Sequence, residues 1–260
     1  MSIFLKTEDE IELMRQANSL VGKTLGELAK HIRPGVSTLQ LDRIADEFIR
    51  DHGAIPTFKG FPNKFGSPFP ASICTSVNDV VVHGIPDSKT ILQDGDIISI
   101  DCGTLLNGFN GDSCYTFPVG EISLEVKRLL DVTKQALYDA IDVAQAGHHL
   151  GDIGHAVQSL CEGNGYGVVR VLTGHGIGRE MHEDPQVPNY GSHGSGILLE
   201  SGMCLAIEPM VTMGSRKVML MNDRWTIKTI DGKPSAHYEH TVAIRRGKAE
   251  ILSSFSEIES

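Results

Sequence analysis

The two halves of this chain look like copies of one another. A shift of 112 residues lays Gly147 on Gly35, Ile153 on Leu41, Val157 on Ala45, Leu160 on Phe48 and Gly165 on Gly53. Further on the shift becomes 107, and the run 94–101, Asp-Gly-Asp-Ile-Ile-Ser-Ile-Asp, meets 201–208, Ser-Gly-Met-Cys-Leu-Ala-Ile-Glu. One matched helix pair can arise by chance; two matched segments in the same order make duplication the better account. Each half reads helix, helix, strands, and in each an apolar strand ends on a carboxylate, Asp101 or Glu208. The expected product is an α/β (α+β) fold with pseudo-twofold symmetry. The 260 residues then form a single domain, its halves lying roughly at 1–120 and 121–260 with a site between them.

Local signals agree with this plan. Thr7 and Glu10 have capping-box spacing. Ile11, Met14, Ala17, Val21, Leu25, Leu28 and Ile32 follow at helical spacing, up to Arg33-Pro34-Gly35. A second helix starts near Ser37 or Thr38 and runs to Gly53, and residues 55–72, rich in Gly, Pro and Phe, read as an exposed loop. Strands are expected at 80–82 and 97–100, with a turn at 107–111. In the second half, helices at 123–146 and around 153–161 precede strands near 167–173, 203–208, 218–222 and 237–244.

Charge and cysteine content exclude several classes. Lys plus Arg number 23 against 33 for Asp plus Glu, a formal charge of −10, and no window is strongly basic. Nucleic-acid binders carry a basic face that displaces counterions from phosphate, so nucleic acid is not expected as a partner. No stretch approaches the ~18 apolar residues of a membrane helix, and MSIFLKTEDE turns acidic where a signal peptide would stay apolar. Cys74, Cys102, Cys114, Cys161 and Cys204 are scattered, odd in number and free of C-x-x-C spacing, against a disulfide framework or a zinc ribbon. The expectation is a cytoplasmic protein that does not engage membranes.

Four acids occupy strand or turn positions, where burying a charge is costly without compensation. Asp101 follows Ile98-Ser99-Ile100, Asp112 lies across the 107–111 turn, Glu208 follows an apolar run and Glu239 sits within 237–242. A hairpin would bring Asp101 and Asp112 to face each other. Any one of these acids alone fits a solvated strand end; the repeat relation between Asp101 and Glu208 argues otherwise. Four carboxylates in one pocket cannot all stay ionised without cations. Mg, Mn, Fe, Co or Zn would resolve the repulsion, and one added imidazole favours the transition metals. His175, within the glycine-rich run 173–178, is the obvious donor. The set suits a two-metal site that activates a shared water. His83, just after an apolar strand, and His182, beyond His175, are further candidates, whereas His31, His52, His148, His149 and His193 read as surface residues. There is no H-E-x-x-H, no G-x-S-x-G and no complete Walker-type G-x-x-x-x-G-K-[ST] loop.

Taken together, these motifs resemble the type I methionine aminopeptidases of bacterial length, members of the pita-bread metallopeptidases. The residues that carry the likeness are His83-Gly84-Ile85-Pro86, Asp101, Gly111-Asp112, Gly174-His175-Gly176-Ile177-Gly178, His182-Glu183, Ile207-Glu208-Pro209-Met210 and Tyr238-Glu239-His240-Thr241. The resemblance implies a dinuclear site held by Asp101, Asp112, His175, Glu208 and Glu239, with Asp112 and Glu239 bridging. The two divalent ions would be Co, Mn, Fe, Zn or Ni. It also implies that His83 and His182 face the substrate, that Glu208 shuttles the proton, and that Cys74, Met181 and Trp225 belong to the methionine pocket. Met181 departs from the aromatic residue many members carry there, and the loop Phe65-Gly66-Ser67-Pro68-Phe69-Pro70 departs from a Tyr-rich version. The implied reaction is removal of the N-terminal methionine from nascent polypeptides whose second residue is small and uncharged. The implied state is a monomer, with any transient ribosome contact made by the catalytic domain's own surface.

Rival readings differ in visible ways. Proline-specific relatives of the same fold carry a large extra N-terminal domain, whereas here the first catalytic-domain helix starts within the first ten residues. Type II methionine enzymes carry a long insertion between the last two Glu ligands; here 31 positions separate Glu208 from Glu239. A binding protein that had lost its metals would show broken ligands, and all five are intact.

Overall fold

A computed structural model describes residues 2–259. The first half comprises α1 (Glu8–Ala29), α2 (Thr38–Asp51), β1 (Ile55–Pro56), β2 (Ile73–Val77), β3 (Val80–Val82), β4 (Ile97–Leu106) and β5 (Phe109–Pro118). The second begins with α3 (Leu124–Val143), α4 (Leu150–Gly163), β6 (Gly167–Val168), β7 (Thr173–Gly176), β8 (Glu183–Pro188) and β9 (Cys204–Ile207). It closes with β10 (Met210–Thr212), β11 (Val218–Leu220), β12 (Ile227–Thr229), β13 (Ser235–His237), β14 (Glu239–Arg245), β15 (Gly247–Ile251) and α5 (Ser256–Glu259). No helix among the described residues is long and apolar enough to cross a membrane.

The helices form where their caps say they should. Thr7 and Glu10 close a reciprocal capping box on α1, Ser37 and Gln40 do the same on α2, and Ser123 caps α3. Glu8, Asp9 and Glu10 place negative charge against the positive end of the α1 dipole. The α1 helix stops at Ala29, short of the Ile32 its apolar spacing reaches. Pro34 disfavours helical backbone at the residue before it, so the chain turns early. The inner faces of α1 to α4 meet the sheet in one core, where Leu25, Leu41, Leu137 and Ile153 pack with Ile98, Ile100, Leu205 and Ile207. Each fully buried side chain of this kind contributes about 1.5–3 kcal/mol.

The central sheet makes the duplication visible. At its middle β5 pairs with β14; outside these lie β4 and β9, and outside those β2 and β7. The order β2-β4-β5-β14-β9-β7 is thus palindromic with respect to the two halves. Alternation along β4 decides what faces where. Ile98, Ile100 and Cys102 enter the helix-side core, and Thr104 Oγ1 donates to Ala17 O of α1 at 3.0 Å, leaving Ser99, Asp101 and Gly103 on the opposite face. Gly111 lets α1 lie directly on β5, because a Cβ there would collide with the Ala17 and Asn18 backbone. Two further three-stranded sheets, β13-β10-β6 and β11-β12-β3, complete the fold, and Val168, Val211 and Ala236 of the first join the helix-side core.

Two expectations change. Residues 55–72 are not a plain exposed loop: Ile55 and Pro56 pair with Leu105 and Thr104 of β4, and Phe69 is only 2% exposed. Phe69 is buried by Trp225, 5.2 Å away between ring centroids, a long-range contact that local composition does not report. The strand expected near 167–173 divides into β6 and β7, so His175 lies within a strand rather than beyond one.

Candidate metal centre

Five neighbouring strands deliver the acids and the imidazole to one face. Asp101 is on β4, Asp112 on β5, Glu239 at the start of β14, Glu208 just past the end of β9 and His175 on β7. Asp101 is directly opposite Cys114, and Asp112 opposite Gly103, so the two carboxylates are diagonal neighbours on one face rather than a direct cross-strand pair. Glu239 is opposite Cys114 on the other side of β5, completing the cluster. The seam between the halves is tied at these residues: Ser113 Oγ donates to Glu239 O at 2.6 Å, and Thr241 Oγ1 donates to Asp112 O at 2.8 Å. Asn18 of α1 accepts the Asp112 N–H at 3.2 Å, and Asn189 Nδ2 donates to Glu208 O at 2.8 Å.

One atom each of Asp112, His175 and Glu239 lies within 4.8 Å of the others. His175 Nε2 stands 3.6 Å from Asp112 Oδ2 and 3.8 Å from Glu208 Oε1. Its other nitrogen, Nδ1, is 2.9 Å from Gly176 O; as a donor there it leaves the Nε2 lone pair facing the acids. Asp101 Oδ1, Asp112 Oδ1 and Glu239 Oε1 are buried with no hydrogen-bond partner. Such orphaned acceptors are expensive unless a cation satisfies them. Burial, and then the neighbouring carboxylates, push Asp101 and Glu239 well above the usual carboxylate range. Asp112 is raised as well, by burial, although the His175 imidazole works against that. Burial disfavours the His175 cation, but Asp112 and Glu208 outweigh it and raise the pKa. The residues present therefore fit a divalent-cation site: hard oxygen donors, one oriented imidazole and uncompensated negative charge.

Above this floor lies a cavity of about 240 Å³. Phe58, Phe61, Phe69, Cys74 and Trp225 line its apolar end, and His83 and His182 stand between them and the acids. The size suits one side chain rather than a large ligand. Trp225 Nε1 donates to Ser67 O at 2.9 Å, fixing the indole against the 65–70 loop. His83 adopts φ 57°, a left-handed conformation rarely taken by non-glycine residues and found disproportionately at functional sites. Burial depresses its pKa. His182 stands at the mouth, 4.3 Å from the His175 ring and 5.1 Å from Phe61 between centroids. Desolvation by the surrounding protein, with His175 alongside, holds its pKa below the ordinary range, so it is neutral at pH 7.

Met181 does not line the cavity. It is 5% exposed and packs with Ile11, Met14, Phe109 and Ile177, behind Phe58. Three aromatic walls (Phe58, Phe61 and Phe69) and one histidine were not legible as site residues. His237 is 2% exposed and its Nε2, otherwise unpartnered, stands 3.4 Å from Glu208 Oε2. Its place two residues before Glu239 is the only sequence signal that could have marked it.

Fold and site together define a metal-dependent hydrolase of the pita-bread class. Metallopeptidase family M24 matches residues 12–246, and the chain belongs to this family. It is 52% identical over 251 residues to a methionine aminopeptidase of Clostridium acetobutylicum, covering 96% of this chain and 98% of that protein. Among solved structures, a methionine aminopeptidase from Rickettsia prowazekii superposes with a TM-score of 0.93 at 41% identity, covering 97% of this chain and all of that one (100%). The prolidase of Pyrococcus horikoshii shares the fold alone, with a TM-score of 0.75 at 20% identity, covering 96% of this chain and 63% of that one.

Proposed function

We propose that this chain, acting as one catalytic domain, removes the N-terminal methionine from polypeptides whose second residue is small and uncharged. The observation that carries the reading is the juxtaposition of a carboxylate-imidazole floor with an apolar cavity sized for one side chain. Asp101, Asp112, His175, Glu208 and Glu239 would hold two divalent cations, Asp112 and Glu239 serving both. Bound there, such ions supply Lewis acidity and lower the pKa of a water.

The chain's own groups do the rest. Phe61, Phe69, Cys74 and Trp225 receive the methionine side chain and exclude water from it. The carboxylate-imidazole end of the cavity receives the free α-amine, which restricts cleavage to chain ends. Glu208, half-buried and facing the cavity, accepts the proton of the attacking water and returns it to the leaving amine. His182, neutral at the mouth, donates to the carbonyl oxygen as charge develops there. His83 contacts the scissile amide from the opposite wall. Cytoplasmic nascent chains, met at the ribosome by a monomer, are the substrates this reading expects.

Methionine release from Met-Ala-Ser, with Met-Lys-Ser and Ala-Pro-Ser as controls, tests the reading. Each peptide is offered to metal-stripped protein and again after Mn, Fe or Co is added back. Release from Met-Ala-Ser alone, restored by metal, is the expected result. Cleavage of Ala-Pro-Ser instead would move the chain to the proline-specific branch of the family.

A further inference from the structure

We propose that a buried ion pair between Lys6 and Glu183 is a positioning device for His182, so that the segment preceding α1 takes part in turnover. The inference rests on the role given to His182 above. Glu183 opens β8 and is the next residue after His182, whereas Lys6 belongs to the segment before α1. Lys6 Nζ pairs with Glu183 Oε2, and the two side chains are 6% and 7% exposed. The lysine also donates to Phe4 O at 3.1 Å, and Glu183 Oε1 accepts the Glu180 N–H at 3.2 Å. The backbone N–H of Lys6 donates to Gly202 O at 2.8 Å, which fixes the segment beside the turn entering β9. Gly178 makes room for the pair, since a Cβ there would collide with Lys6 Cε and the Glu183 carboxylate.

The loop between β7 and β8 is thus held at both ends. At its start, Asn110 Nδ2 donates to Gly178 O at 3.2 Å and Arg179 O at 2.9 Å, and the Ile177 N–H donates to Cys204 O at 3.1 Å. At its end stands the Lys6–Glu183 pair. Among the described residues the His182 ring makes no side-chain hydrogen bond; Phe61 and His175 bound it only by ring contacts. Its direction is therefore set by the backbone of 181–183, pinned on one side by buried Met181 and on the other by Glu183. Stability alone does not account for the pair, because apolar side chains of similar volume in place of a buried ion pair are often neutral or stabilising. What an ion pair adds over such a replacement is a defined geometry, which a group donating to a developing oxyanion needs.

The test uses the full chain, loaded with Mn, and a double-mutant cycle. Lys6→Met/Glu183→Met removes both charges together, so no buried ion is stranded. The expected result is near-normal melting temperature and Mn binding by calorimetry, kcat on Met-Ala-Ser lowered about tenfold or more, and KM changed less than about twofold. In a His182→Ala background the same double change alters kcat by less than about twofold, because its effect has already been lost. A double variant with wild-type kcat, or one whose deficit persists in full without His182, overturns the inference. Should the double variant fail to fold, Glu183→Asp shortens the tether by one methylene while keeping its charge. A several-fold fall in kcat with unchanged Mn binding then supports the inference, and unchanged kcat overturns it. Full turnover by His182→Ala overturns the role of His182 and this inference with it. No methionine release by the wild type overturns the proposed function itself.

Discussion

The two halves share a scaffold but divide the chemistry unequally. Strand β4 and its repeat mate β9 each lead to a carboxylate, Asp101 and Glu208, and the outer strands β2 and β7 occupy matching places in the ladder. Yet β2 carries Cys74 toward the cavity where β7 carries His175. The first half supplies two acids on a long, continuous hairpin, together with His83, Phe58, Phe61 and Phe69. The second supplies His175, His182, His237, Glu208 and Glu239 from short strands and the turns beside them, together with Trp225. Each half places two carboxylates in the floor; the first adds most of the apolar wall and one histidine, whereas the second adds three histidines and the tryptophan. Duplication fixes where side chains point, whereas residue type within each copy fixes what they do.

The sharpest way to break this comparison is to neutralise the repeat mates one at a time. Glu208→Gln at saturating Mn is expected to lower kcat about 10²–10⁴-fold, the range of a lost general acid-base. Asp101→Asn is expected to act mainly on affinity, weakening Mn by more than about 100-fold, since even outer-sphere partners of a metal cost 10–100-fold. Excess Mn should return much of the Asp101→Asn activity and none of the Glu208→Gln activity. Identical behaviour of the two variants would erase the asymmetry.

Acidity sharpens the same contrast. Asp101, Asp112 and Glu239 have folded-state pKa values raised above those of the unfolded chain, where such groups titrate near about 4. Above that pH the metal-free folded state binds more protons than the unfolded one, so its stability falls as pH rises toward the folded values. Each tenfold difference in acidity is about 1.4 kcal/mol. Metal binding needs these carboxylates ionised, so the gap in melting temperature between metal-loaded and metal-free protein should widen between about pH 5 and about pH 8. A constant gap would mean that the three acids do not bind the metal.

The smallest effects separate the pocket wall from its backing. Trp225→Ala should raise KM for Met-Ala-Ser about tenfold through lost apolar contact, with less change in kcat. Met181→Leu should leave kcat/KM within about twofold and cost under ~1.5 kcal/mol of stability, as volume-conserving core exchanges do. A large KM change in Met181→Leu would place its side chain in the pocket after all.

Much of this molecule was legible because its signals are local or repeated. The capping box of α1 is written within four residues, and the Asp101–Glu208 relation is written twice along the chain. Part of the pocket wall was not legible: the resemblance named Cys74 and Trp225, but Phe69 packs against Trp225 from the other half as well as against Phe58 and Phe61, and no local signal reports that contact. His237 escaped for a related reason: its partner Glu208 is reached by the pairing of β13 with β10, not by proximity in sequence. The diagonal offset of Asp101 and Asp112 depends on hairpin register, which a turn of several plausible residues does not specify.

The central claim is that both halves jointly hold two divalent cations and that hydrolysis depends on them. Calorimetric titration of Mn into metal-free protein, with methionine release from Met-Ala-Ser followed on the same samples, tests it most directly. Two equivalents bound, with activity appearing as the site fills and both lost in Asp112→Asn, is the predicted result. Methionine release at full rate without bound metal, or metal uptake undiminished in Asp112→Asn, would contradict it.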